Sequence, residues 1–152
     1  MLFPLLKWLH VLSAIIAVGS NVTYGIWITR ATRKPDDLAF TLRGIKFIDD
    51  RLANPAYGLL LITGLSMVFT TSFSLTTPWL MTALILYAIL VVIGLFGYTP
   101  TLRHQIQLIE SHGPDSFEYR SIANRGMVLG ILLAILAITI VYLMVVKPPL
   151  WP

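Results

Sequence analysis

The 152-residue chain is 57% hydrophobic and only 12% charged, with a formal net charge of +4 and a mean hydropathy of +0.80. That balance excludes an ordinary soluble domain and leaves room for about four membrane spans of roughly 20 residues each. With no cysteine, disulfides, thiolate metal sites and covalently attached c-type haem are excluded, so any metal chemistry must rest on His, Met or oxygen ligands.

In chain order, four apolar segments predict spans over residues 5–28, 55–73, 79–98 and 127–146, forming one all-α, four-helix membrane domain over residues 1–152. The first segment carries no small-residue cleavage site and reads as a span, not a removable signal. Between spans one and two, Leu38, Leu42, Ile45, Ile48 and Leu52 recur at helical spacing opposite Arg and Asp. This predicts a short amphipathic helix on the membrane surface. Pro100 is expected to interrupt the end of span three, and the polar run after it to extend as helix until Gly113 and Pro114. Asp115 followed by Glu118 reads as the start signal of the last helix. Gly126 and Gly130 form a GxxxG pattern suited to close helix contact. Trp8, Trp27, Trp79, Tyr98, Tyr142 and Trp151 sit near span boundaries as interfacial anchors.

Nine of the basic residues, from Arg30 to Arg51 and from Arg103 to Arg125, lie in the first and third connections, against only Lys7 and Lys147 on the opposite side. The positive-inside rule then places both termini outward in a bacterial cytoplasmic membrane and the basic connections in the cytoplasm. Every Asp and Glu also falls in those two connections, which argues against a carboxylate relay at depth. The basic residues flank spans and interleave with no aromatic binding surface, so lipid headgroups are the expected partner and nucleic acid is not.

One polar residue stands out inside span one. His10 shares a helical face with Ala14, Ala17, Asn21 and Tyr24, and small residues on that face admit either a close helix or a flat ligand. A histidine there has three uses: a hydrogen bond to a neighbouring helix, an axial bond to haem, or a bond to a metal ion. His104 and His112 fall at the cytoplasmic side, most of a bilayer away, and are excluded as its partners. Met67, Met81 and Met144 lie at comparable depth, and a His–Met pair is an established axial set for haem.

The sequence KWLH opening span one, NPAYG opening span two, PWL opening span three, an Arg-and-Asn stretch before span four and VVKP at its end resemble a membrane superfamily. The chain is similar to the HemJ-type protoporphyrinogen oxidases and the CopD copper-resistance membrane domain, and more closely to a family of small bacterial integral-membrane proteins of the same layout. The HemJ resemblance implies that His10 is the haem-associated histidine. It also implies a lysine where this chain has Ala83, and a glutamate where it has Arg125 after Asn124. Those departures remove two charged groups that porphyrinogen oxidation would use, so the oxidase reaction is not expected to carry over. The CopD resemblance implies outward His and Met ligands for a soft metal.

The function expected is therefore binding of haem b or a related tetrapyrrole through His10, as a small b-type cytochrome or redox subunit. Ala14 and Ala17 would face the ring, with Asn21 and Tyr24 as hydrogen-bonding residues deeper in the bundle. The alternatives are a cofactor-free accessory or assembly subunit of a larger membrane complex, or a homo-oligomer in that role, and a transporter of metal or small molecules. The transporter is disfavoured because there are no buried carboxylates and no repeat of broken helices.

Overall fold

A computed structural model describes residues 1–71 and 74–150, and every regular element among them is helical. The elements are α1 (Leu2–Ala31), α2 (Pro35–Ile48), α3 (Asn54–Phe69), α4 (Pro78–Val92), α5 (Thr99–His112) and α6 (Phe117–Val146). A π-helical turn, Asp49–Ala53, fuses α2 to α3, and another, Ile93–Tyr98, fuses α4 to α5. The chain is thus four rods of 30, 35, 35 and 30 residues, each long and apolar enough to cross a membrane. At about 1.5 Å per residue each rod exceeds the roughly 30 Å of bilayer hydrocarbon, so part of it projects beyond.

The π turns explain how two prolines survive inside continuous rods. A helical proline lacks an N–H and clashes with the carbonyl four residues earlier. For Pro55 and Pro100 that carbonyl belongs to Arg51 and Phe96, and both lie within a π turn, where the hydrogen-bond ladder is already widened. The interruption at Pro100 is thus a π turn and not a break, and the third rod runs on through the polar stretch to His112, as the sequence leads one to expect. At the other end of α5, Gly113 adopts φ 81° and its N–H donates to the Ile109 carbonyl at 3.2 Å, which closes the helix. The cap of α6 is Ser116, whose Oγ accepts from the Tyr119 N–H at 3.2 Å, and not Asp115. The final residues of the expected second span, Ser72 and Phe73, and the anchor Trp151 lie outside the described residues.

Helix α2 is amphipathic as its spacing predicts, but its apolar face does not lie on the membrane surface. Leu38, Leu42 and Ile45 are buried within the bundle, where α2 packs on α1 and α5. Ile48 and Leu52, from the same periodic set, are exposed. Arg43 of α2 and Glu110 of α5 pair across this contact.

Helix α1 packs on α3, α4 packs on α6, and α1 joins α6. Among the described residues no Cα pair of α3 and α4 lies within 8 Å, although they are consecutive in the chain. The bundle is consequently uneven along its axis. At the end carrying the α1–α2 and α5–α6 connections, here the loop end, Leu42, Tyr98, Leu102 and Tyr119 form a continuous core. Tyr98, expected at an interface, belongs to that core. At the opposite, terminal end the rods splay around a cavity. Large side chains such as Ile62, Ile85 and Ile138 point outward, as lipid-facing residues do.

Candidate functional site: an apolar cavity beside His10

All four rods contribute to the cavity, whose volume is about 760 Å³, within the roughly 300–1,000 Å³ typical of ligand pockets. Its polar groups are His10, Tyr57, Tyr87, Trp79, Lys7 and Lys147, and the rest of the wall is Ala, Gly, Val, Leu, Ile, Met and Phe. Lys7 and Lys147, from the first turns of α1 and the end of α6, stand at the mouth. Lys147 Nζ lies 5.2 Å from the centre of the Trp79 ring.

The floor is built by two tyrosines that bridge the α3–α4 gap. Tyr87 Oη donates to the Tyr57 carbonyl at 2.5 Å, and the two rings stand 6.5 Å apart at 55°. From α1, Asn21 Nδ2 donates to Tyr57 Oη. Asn21 therefore fixes the floor instead of lining the cavity. Tyr24, one turn further along, is buried below that floor in the packed core. Its hydroxyl makes no hydrogen bond of good geometry, although Ser20 lies beside it.

His10 is on the wall, held from the facing helix. Its Nδ1 lies 3.0 Å from Thr63 Oγ1, and the Leu60 carbonyl faces the same imidazole. The Thr63 hydroxyl has one proton, and it is directed to the Leu59 carbonyl at 2.6 Å. Toward His10 it is thus an acceptor, so Nδ1 carries the hydrogen and Nε2 keeps its lone pair. A Cβ placed on Gly64 would sit 3.1 Å from His10 Cε1, so glycine is what lets the ring lie this close to the α3 backbone.

The other residues singled out from the sequence separate. Ala14, Met67 and Met144 line the cavity with His10. Ala17 is fully buried and is not part of the wall. Met81 is exposed and also lies outside the cavity, so it does not stand with the other two methionines. Ala83 is a fully buried wall residue, whereas Arg125 is exposed near the start of α6. His104 and His112 are exposed at the loop end, which leaves His10 as the one imidazole on the cavity. No group of three His, Cys, Asp or Glu that could hold a metal ion occurs among the described residues.

Sequence reasoning did not find Thr63, Gly64, Tyr57 or Tyr87. The signal for the first two was a Thr-Gly pair interrupting an apolar span; nothing in their spacing linked them to a residue 53 positions away. Nor did sequence reasoning single out Asp49, one of the carboxylates of the first connection, which is buried, with Asn54 Nδ2 at 3.4 Å from its Oδ2. Burial raises its carboxyl above the ordinary value, partly offset by Lys46 nearby.

Residues 4–148 match a family described as predicted integral membrane protein (DUF2269). No curated protein and no solved structure matches the chain.

Proposed function

The chain belongs to this DUF2269 family of predicted integral membrane proteins, and we propose that it is a membrane protein that binds haem b or a related tetrapyrrole in the cavity beside His10. The observation that carries this reading is the contact of His10 Nδ1 with Thr63 Oγ1, which assigns the imidazole hydrogen to Nδ1. With Nδ1–H given to Thr63, the nitrogen left as an electron-pair donor is Nε2, the arrangement seen wherever an outer hydrogen bond orients a metal-binding imidazole. The residues present fit such a group: one neutral imidazole, hydrocarbon walls that exclude water, and enough volume for a flat ring.

In this reading His10 would hold the group through Nε2, and Thr63 would set the orientation of the imidazole. Ala14 leaves space along the wall, and Met67 and Met144 are the thioethers that would help hold the group. Haem held there would supply one-electron transfer. The cavity contains no carboxylate, and with His10 taken up in holding the group the remaining wall residues offer no strong proton acceptor for a porphyrinogen oxidation. Electron transfer, not that oxidation, is the activity the site suits. The basic residues at the loop end support an orientation with that end in the cytoplasm of a bacterium and both termini outside.

The protein purified from haem-replete cells should show a Soret band, and His10→Ala should abolish it. A colourless protein recovered in fixed ratio with a larger membrane complex would overturn the proposal in favour of a cofactor-free subunit.

A further inference from the structure

The ion pairs among the described residues take Arg43, Lys46 and Arg120 at the loop end. Arg30 and Arg33, where α1 reaches that end, have no acidic partner, and their guanidinium groups make no hydrogen bond to the described residues. Both side chains are exposed, and the backbone keeps them together: the Arg33 N–H donates to the Arg30 carbonyl at 3.3 Å as the chain turns out of α1. Arg103 and Arg125 are likewise exposed and unpaired, but Arg30 and Arg33 line one concavity of about 410 Å³.

Gly25, Ile26 and Thr29 make the rest of that concavity. They belong to the last turns of the apolar segment, which ends at Ile28. From Gly25 to Arg30 the helix rises about 7.5 Å, so the groove runs from the hydrocarbon zone into the headgroup zone. Exposed Trp27 marks the boundary between the two. The groove is open because position 25 has no side chain: a Cβ there would meet no atom within 4 Å. Thr29 adds to the wall with its hydroxyl already spent, Oγ1 donating to the Gly25 carbonyl at 2.8 Å. A hydrocarbon strip thus leads to two adjacent guanidinium groups, whose planar forks match phosphate oxygens.

We propose that this groove binds one anionic phospholipid of the leaflet at the loop end, with its phosphate between Arg30 and Arg33 and an acyl chain along Gly25 and Ile26. The ligand is a lipid and not a free anion because the concavity continues below the arginines as an apolar wall, which a free phosphate leaves uncovered. It is an anionic lipid because a zwitterionic headgroup brings its own cation to a place that already holds two, with no carboxylate of the described residues in ion-pair reach. The site shares no residue with the cavity beside His10, so it stands independently of the tetrapyrrole reading.

The test titrates detergent-solubilised protein with phosphatidylglycerol or with phosphatidylcholine of identical acyl chains and counts bound lipid by native mass spectrometry. The wild type should take up one phosphatidylglycerol with an affinity roughly tenfold to thirtyfold above that for phosphatidylcholine, the size expected for two cations at an anionic headgroup. In Arg30→Gln/Arg33→Gln that preference should disappear. Arg103→Gln/Arg125→Gln, which removes two exposed cations outside the groove, should keep it. Gly25→Leu should weaken the binding of both lipids by filling the groove, while leaving the thermal midpoint equal or higher, because the new side chain starts in open space and glycine is a poor helix former. Equal uptake of the two lipids by the wild type overturns the proposal. An equal loss in the Arg103 and Arg125 variant also overturns it, in favour of a diffuse basic surface. Unchanged binding by Gly25→Leu, or displacement of the lipid by excess inorganic phosphate, overturns it in favour of an anion contact with no seat for the chain.

Discussion

His10 Nδ1 and Thr63 Oγ1 are 3.0 Å apart across the contact between α1 and α3. Because Thr63 commits its proton to Leu59, the pair has a fixed direction, from imidazole N–H to hydroxyl oxygen. Thr63→Val keeps the shape and removes the acceptor. Haem affinity should fall about tenfold, in the lower part of the range for losing an outer partner of a metal-binding histidine. Thr63→Ser should preserve it. Soret titration of the three proteins decides the matter, and an unaltered Thr63→Val would show that the tautomer is not set here.

A second prediction concerns the contact of α5 with α6. A Cβ on Gly126 would lie 2.0 Å from Gln105 Nε2 and 3.3 Å from its Cδ, and Gln105 is itself buried with Nε2 directed at the Ile122 carbonyl. Gly126→Ala should destabilise the fold by about 1–3 kcal/mol through overpacking. Gln105→Ala in the same chain should recover much of the loss, so that the two changes are strongly non-additive in thermal unfolding.

At the loop end, Leu42 is fully buried between α2 and its neighbours. Leu42→Ala should cost about 2–5 kcal/mol, the range for a large-to-small change in a packed core. The nearby exposed Phe47→Ala should cost far less. If α2 instead rested on the membrane surface, the two substitutions would be similar in effect on unfolding.

The fourth prediction follows from Asp49. Burial raises its carboxyl pKa, with Asp50 adding to the shift and Lys46, Asn54 and Thr99 opposing it. A raised value means that folding favours the protonated acid. Stability should therefore decline as pH rises from about 4, where the unfolded carboxyl ionises, and level off above the folded value. Asp49→Asn should flatten that part of the profile and raise the unfolding midpoint at neutral pH. A wild-type midpoint that climbs over the same interval would contradict this.

The four spans were legible because continuous hydropathy needs no knowledge of neighbours. The helical period of Leu38, Leu42 and Ile45 was equally plain, yet periodicity reports only that a face is covered, and here α1 and α5 cover it instead of lipid. The burial of Asp49 had no sign in the sequence for a related reason. A charged stretch looks solvated in sequence, whereas the π turn that accommodates Pro55 also carries Asp49 into the interior. Of the face beginning at His10, the sequence showed the inward direction of Ala17 and Tyr24, but not that the cavity ends above Tyr24. That boundary depends on Tyr57 and Tyr87 meeting across two other helices, a contact with no local signature.

The separation of α3 from α4 means that the protein does not enclose its own cavity on every side. In a bilayer that side would face acyl chains, which would then border the cavity together with the helices. Lipid chain length, unsaturation and temperature should in that case change how the proposed ligand is held. Detergent, which replaces ordered acyl chains with a mobile micelle, alters the site even where every side chain of the protein stays in place.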